Sequence, residues 1–226
     1  MAKVIDLGGY EAQPRDFDVA GIDETAILAM QGRKAPLGFT EDDWKRCVDE
    51  LRDALRRSGI EDADVRIRGS ATQFFSGEHK PFPPSLASLL ERPPSTALPV
   101  NELRERWQRL GFEEGSLPNY HYFNSRYALG LDPPPSDYDI QLSSDTVVAR
   151  LDEYRRMYSA EDVISPHGGH YRHEYLARLF PDLGNWADAW AEHTGCDVTI
   201  ASFAGSGPTG SSSFAKTDWV IIEGEG

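Results

Sequence analysis

The sequence predicts a mixed α+β fold, α/β in the broad sense, with a small mixed twisted sheet and helices packed mainly on one face. Three patterns favour it: apolar residues recur at helical spacing after residue 40, residues 64–68 alternate as a strand does, and residues 136–142 alternate again. The 226 residues, of which 39% are hydrophobic, suffice for one large domain with a substantial core.

The first long helix is predicted to begin after Thr40. Thr40-Glu41-Asp42-Asp43 resembles a capping box with Asp in place of the usual Glu, and Ser58-Gly59 is typical of a helix end. The strand Asp64–Arg68 follows, with Val65 and Ile67 on one face. The apolar stripe of the helix that begins after Thr40 comprises Trp44, Cys47, Val48, Leu51 and Leu55.

The sequence divides into an irregular N-terminal segment, residues 1–39, and a domain over residues 40–226. Within the first segment, only Ile22 to Met30 is expected to form a short helix. Residues 71–135 are interpreted as an insertion in the domain that covers one side of the site. The insertion is rich in proline at first and in aromatic residues later, with a short helix predicted over 102–110.

The C-terminal part alternates helices and strands. Ser143-Ser144 is predicted to cap the first of these helices, in which Tyr158 faces inward, and Pro181 is expected to start a break. The strands Cys196–Phe203 and Thr217–Ile222 are predicted to pair as a hairpin. The predicted helices span 145–158, 172–180 and 185–194.

Two acids on the strand Ser136–Ile140 point to one chemistry. A strand repeats every two residues, so Asp137 and Asp139 share one face while Tyr138 and Ile140 share the other. Two carboxylates on one face repel each other unless a cation lies between them, and Mg²⁺ takes one or two carboxylates plus substrate phosphates. The earlier turn Gly69-Ser70 offers backbone N–H groups and a hydroxyl to such phosphates. These segments predict metal-dependent phosphoryl or nucleotidyl transfer.

Gly69-Ser70 followed by Asp137-x-Asp139 resembles the signature of the DNA polymerase β-type nucleotidyltransferase superfamily. In that superfamily one strand ends in Gly-Ser, the next carries Asp-x-Asp, and a later strand supplies a third carboxylate. This chain departs from the superfamily pattern because the long insertion over residues 71–135 separates the Gly-Ser element from the Asp-x-Asp element. The resemblance implies a nucleotidyltransferase-like fold and an enzyme dependent on Mg²⁺ (or Mn²⁺). In such an enzyme a hydroxyl attacks the α-phosphate of a nucleoside triphosphate, and two metal ions stabilise the entering and leaving oxygens.

The resemblance also implies roles for further residues. Asp137 and Asp139 would be catalytic and would hold the metal ions, and a third carboxylate would orient the nucleophile. Asp197 and Asp218 both open a predicted strand, and Asp197 matches the helix-to-strand order of the superfamily better. Asp197 is therefore assigned as the third catalytic and metal-binding acid, with Asp218 as the alternative.

Nucleotide contacts are predicted at four positions. Ser70 would contact the triphosphate, and Gly69 would let the backbone approach it closely. Lys216 would neutralise phosphate charge, and Arg172 would contact a phosphate or a base. Three histidines at three-residue spacing, His167, His170 and His173, suggest a transition-metal site, but a helix start with surface histidines is the preferred explanation.

Composition limits the partners. The net charge of −14 argues mildly against a large polynucleotide footprint. Cys47 and Cys196 give neither a disulfide framework nor zinc-ligand spacing. The sequence shows no signal-peptide pattern and no apolar run of membrane-spanning length, so a cytoplasmic protein without a membrane partner is expected.

Two functional hypotheses follow. The first is transfer of a nucleoside monophosphate to a hydroxyl acceptor, which would be a protein side chain, a tRNA end or a small molecule. The second is a catalytically degenerate protein of the same fold that binds a nucleotide or a protein partner without turnover.

Overall fold

The computed structural model describes residues 5–7, 10–77, 81–82, 98–112, 121–131, 135–166, 169–205 and 218–223. In chain order the strands are β1 (Ile5–Leu7), β2 (Tyr10–Ala12), β3 (Asp64–Arg68), β4 (Tyr138–Ser143), β5 (Val198–Phe203) and β6 (Trp219–Ile222). The helices are α1 (Pro14–Ala20), α2 (Glu24–Gln31), α3 (Glu41–Arg57), α4 (Ser70–Gln73), α5 (Val100–Arg109), α6 (Ser125–Ala128), α7 (Asp145–Tyr158), α8 (His173–Leu179) and α9 (Pro181–Thr194).

The chain forms two compact units. The first comprises residues 1–38 and 69–136, and the second comprises residues 39–68 and 137–226. The N-terminal segment and the predicted insertion thus belong to one unit, and the strands that carry the predicted acids belong to the other.

The second unit contains a four-stranded mixed sheet in the order β5-β4-β3-β6. Strand β3 pairs antiparallel with both β4 and β6, and β4 pairs parallel with β5. Helices α7, α8 and α9 lie between β4 and β5 in the chain, as a parallel connection requires.

Helices α3 and α9 pack together beneath the apolar face of this sheet. The indole N–H of Trp186 on α9 donates to the carbonyl oxygen of Cys47 on α3 at 3.0 Å, and that of Trp190 donates to Glu50 at 2.9 Å. Phe39 links the sheet to this helix pair, since its ring lies 5.0 Å from Tyr138 and 5.5 Å from Trp190. The predicted mixed fold, with helices mainly on one face, is confirmed. The buried sheet residues are Val65, Ile67, Tyr138, Ile140, Leu142, Val198, Ile200 and Trp219.

Several local predictions are confirmed in the second unit. Helix α3 begins after Thr40, whose hydroxyl accepts a hydrogen bond from the Asp43 N–H at 3.1 Å, and it ends at Ser58. Strand β3 has the predicted bounds. Ser144 caps α7 by accepting a hydrogen bond from the Val147 N–H at 3.1 Å.

The predicted C-terminal hairpin is wrong. Strands β5 and β6 lie at opposite edges of the sheet, and β6 pairs with β3. Adjacent strands in sequence suggest a hairpin, but β6 pairs antiparallel with the edge of β3, with a register shift between Val65 and Arg66. Two further details differ. Tyr158 is 63% exposed because it is the last residue of α7, and Pro181 starts α9, where its missing N–H costs no helical hydrogen bond.

The first unit has more regular structure than the sequence indicated. The short helix predicted within residues 22–30 is present as α2, but β1, β2 and α1 were not predicted. The rings of Phe74 and Tyr122 stack at 4.9 Å, and the Tyr10 ring lies 6.0 Å from Phe74. Helix α5 is held by the Trp107 indole N–H, which donates to the Leu129 carbonyl oxygen at 2.9 Å. Much of the proline-rich stretch lies outside the described residues.

Candidate functional site

The predicted acids of the second unit gather at one end of the sheet, at the start of β4. In the antiparallel register Asp139 on β4 is paired with Arg68, the last residue of β3, and in the parallel register with Thr199 on β5. Side chains of paired residues point to the same face. Asp137, two residues earlier and exposed, continues that face beyond the end of the strand.

Asp197 lies beside Asp137 at the same end. The Tyr138 N–H donates to the Asp197 carbonyl oxygen at 2.8 Å, so the two chain segments are neighbours just before β4 and β5. Burial raises the pKa of the Cys196 thiol, and the charges of Asp197 and Asp137 raise it further. Both carboxylates are therefore within electrostatic reach of one thiol. Asp197 itself is exposed.

Asp218 lies just before β6, the strand that pairs with the opposite edge of β3 from β4. Trp219 is paired with Ile67, so Asp218, one residue earlier on the antiparallel strand, is beside Arg68. Its side chain is only 5% exposed, and its Oδ1 accepts no hydrogen bond from the residues that the structure describes. Burial raises the pKa of Asp218, while the charges of Arg68 and Arg66 lower it.

Arg68 thus separates two groups of acids across the sheet end. Asp139 and Asp218 are on strands two apart, which corresponds to about 10 Å between their backbones. Within the described ranges, no three His, Cys, Asp or Glu residues are close enough to hold one metal ion. A site for a hard cation at this end would therefore use one or two carboxylates and complete its shell with phosphate oxygens and water, as Mg²⁺ sites commonly do.

A groove of about 340 Å³ runs along the polar face of the sheet from this end. Its floor consists of Asp139 and Gln141 on β4 with Thr199 and Ala201 on β5, and Arg68 borders it on β3. Gln141 is 3% exposed. Because Ala201 is paired with Gln141, the small methyl group beside the amide leaves depth in the floor.

The segment before α8 forms one wall of the groove. Tyr171 exchanges two backbone hydrogen bonds with Ser202 of β5, at 2.9 and 3.1 Å. In an extended segment successive side chains point to opposite sides. His170 and Arg172, on either side of Tyr171, therefore point to the same side, and both line the groove. The His170 ring lies 5.7 Å from that of Phe203, and both residues line the groove, Phe203 at the end of β5 away from Asp139.

Arg172 and His173 are held in defined positions along this wall. The Arg172 Nε donates to Glu174 at 3.0 Å. The Nδ1 of His173 accepts a hydrogen bond from the Ile200 N–H at 3.3 Å, which requires a neutral ring with its proton on Nε2. Burial lowers the pKa of His173, with the charges of Asp188 and Glu174 opposing the shift.

The remaining predicted residues belong to the first unit or lie outside the described residues. Gly69 and Ser70 belong to the first unit, at the start of the four-residue helix α4. Gly69 has φ of 90°, which a residue with a side chain rarely adopts, and its carbonyl oxygen accepts from the Thr72 N–H at 3.1 Å. Lys216 and His167 lie outside the described residues.

Arg68 and Gln141 are among the groove residues that were not singled out from the sequence. The period-two pattern of Asp137 and Asp139 extends to residue 141 and places Gln141 on the acidic face, so this residue was within reach of the same argument. Arg68 becomes informative only with the register, because its pairing with Asp139 joins residues far apart in the chain.

Comparison with protein-family models, with curated proteins and with solved structures gives no significant match to this chain. Among the described helices, none combines the length and the apolar character needed to cross a bilayer.

Proposed function

We propose that this protein is a Mg²⁺-dependent nucleotidyltransferase, which transfers a nucleoside monophosphate from a nucleoside triphosphate to a hydroxyl acceptor. The observation that carries the proposal is the placement of Asp137 and Asp139 on one face at the sheet end beside a groove, with Arg68 next to them and, beyond Arg68, a buried Asp218 oxygen that accepts no hydrogen bond from the described residues. Two carboxylates that share a face favour a bound cation, because their negative charges repel each other without one.

Asp137 and Asp139 are the residues that would hold the metal ion. They share a face two residues apart, and their oxygens are the hard ligands that Mg²⁺ and Mn²⁺ prefer. The bound ion would supply charge neutralisation and Lewis-acid polarisation at the phosphates. The remaining ligands would come from the triphosphate itself, so a third protein ligand is not required.

The third acid is better supported at Asp218 than at Asp197. A general base needs an elevated pKa, and burial raises the pKa of Asp218, whereas Asp197 is exposed to solvent before β5. Asp218 would accept the proton of the attacking hydroxyl. Asp197 would add negative charge near Asp137 and so strengthen cation binding there.

The positive groups along the groove would position the triphosphate. Arg68 lies between the acids, and Arg172 borders the opposite wall, with its Nε on Glu174 and one terminal nitrogen on the Asp162 carbonyl oxygen. In the reaction the hydroxyl oxygen of the acceptor bonds to the α-phosphorus. The bond from that phosphorus to the β-bridging oxygen breaks, pyrophosphate leaves with the electron pair, and the hydroxyl proton passes to the base. Positioning and charge neutralisation account for most of the catalysis in such a site.

The test is transfer of label from α-³²P-labelled ATP, CTP, GTP or UTP, with Mg²⁺ and cell lysate as a source of acceptors. Labelled protein, RNA and small molecules are then separated. The Asp137→Asn, Asp139→Asn double variant should lose at least about a hundredfold in rate, because it loses the cation ligands. A Glu153→Gln, Glu192→Gln double variant makes the same charge change at exposed helix positions and should keep wild-type activity.

The outcomes separate the hypotheses. Label transfer that survives in the Asp137, Asp139 double variant would remove these acids from the site. Nucleotide binding without transfer or pyrophosphate release, in the presence of lysate, would identify a binding protein without turnover.

A further inference from the structure

The most unusual group in the groove is the side-chain amide of Gln141. It is 3% exposed, lines the groove and makes no hydrogen bond with any residue in the described part of the chain, and its Oε1 is fully buried. An amide in this state costs free energy unless a ligand or water completes its hydrogen bonds.

The space above Gln141 is larger than a water site. The groove measures about 340 Å³, whereas one water occupies about 30 Å³ of liquid. The Ala201 methyl group beside the amide keeps this space open. A small molecule therefore fits against the amide.

The surroundings of the Gln141 amide favour a ligand that has a flat ring with polar edges. The rings of His170 and Phe203 are 5.7 Å apart and present aromatic surface at the far end of the groove. The Nε2–H of His173 and the hydroxyl of Thr199 are further polar groups of the lining. Aromatic surface beside an in-plane donor and acceptor is the combination that proteins use to bind nucleobases.

We propose that Gln141 recognises the nucleobase of the bound nucleoside triphosphate, with its amide on the polar edge of the base and Phe203 and His170 against its rings. This inference rests on the proposed function. Gln141 is two residues along β4 from Asp139 on the same face, about 7 Å away, so one ligand spans the metal site and the amide. The base occupies the end of the groove beside His170 and Phe203, and the phosphates lie toward Asp137 and Arg68.

The test is calorimetric titration of the full chain in Mg²⁺ with α,β-methylene analogues of ATP, CTP, GTP and UTP, which resist transfer. Inorganic tripolyphosphate serves as the probe without a base. Wild type should bind at least one nucleotide analogue about tenfold or more tightly than tripolyphosphate. Gln141→Leu should weaken that analogue about tenfold, because a buried polar edge of the base loses its partner. Its affinity for tripolyphosphate should stay within about twofold.

A second variant tests the space independently of the amide. Ala201→Leu fills the floor beside Gln141 and should weaken binding of the nucleotide analogue at least as much as Gln141→Leu does. Its affinity for tripolyphosphate should again be unaffected. Val220→Leu is the matched control, since Val220 is on the same sheet face, is 46% exposed and lies outside the groove. It should change neither affinity.

Each other outcome has a definite meaning. Unchanged nucleotide affinity in Gln141→Leu and Ala201→Leu would overturn the inference, as would equal weakening of both probes. Wild type that binds nucleotide and tripolyphosphate equally would also overturn it and leave the proposed function standing. Wild type that binds neither probe would overturn the proposed function, and the inference with it.

Discussion

At the scale of single residues, the candidate site depends on which charges face each other. Arg68 is paired with Asp139 in the sheet register, and its charge lowers the pKa of Asp218 on its other side. The buried Asp218 Oδ1 accepts no hydrogen bond from the described residues. A divalent ion beside the acids would change the electrostatic environment of Arg68 and Asp218, so we expect the site to differ with and without Mg²⁺.

His173 gives the sharpest prediction at this scale. Burial lowers its pKa below the ordinary value of 6.5, so the folded protein binds this proton less readily than the unfolded chain. The contribution of neutral His173 to the free energy of unfolding is therefore complete above pH 6.5. It is lost as the pH falls through 6.5 toward the lowered pKa of the folded protein. His173→Asn keeps an acceptor near Nδ1 but has no proton to gain. Urea unfolding between about pH 7.5 and 5.5 should show a smaller loss of stability for this variant. Equal losses in both proteins would contradict the assignment.

At the scale of elements, the sequence was most informative where the interaction is local. The cap at Thr40, the end at Ser58 and the bounds of β3 all follow from neighbouring residues. The partner of β6 was missed because strand pairing is chosen across the whole sheet and not by adjacency in the chain. Likewise, the alternation at Asp137 and Asp139 predicted a shared face, but only the register of β3 with β4 and β6 revealed Arg68 between the acids.

The connection from β4 to α7 provides an element-scale prediction. The Ser144 hydroxyl accepts from the Val147 N–H at 3.1 Å and donates to Asp62 at 2.6 Å, and Asp62 also accepts from the Thr146 N–H at 3.0 Å. Ser144→Ala should lower the free energy of unfolding by about 1 to 2 kcal/mol, because it removes a helix cap and a hydrogen bond to a carboxylate.

Ser144→Thr is the matched control, since threonine retains the capping hydroxyl and should cost less than alanine. Both variants are measured by urea unfolding. Loss of equal size in the two would point to altered packing at this buried position and not to the cap.

At the scale of the whole molecule, the charge of −14 affects how a nucleotide approaches. A free triphosphate is repelled by such a surface, whereas its complex with Mg²⁺ carries less negative charge and brings the cation that the acids require. Arg68 and Arg172 then provide local positive charge within an acidic protein. The division into two units was only partly accessible from the sequence, because contacts that join residues 1–38 to 69–136 are distant in the chain.

The most direct test of the site is a crystal structure of the full chain soaked with Mn²⁺ and an α,β-methylene nucleotide, with data collected for anomalous scattering. The account predicts an anomalous peak about 2 Å from the carboxylate oxygens of Asp137 or Asp139, with the triphosphate completing the metal coordination. The same soak of the Asp137→Asn, Asp139→Asn variant should lack that peak. A manganese peak bound elsewhere on the protein, with these two carboxylates free of metal, would contradict it.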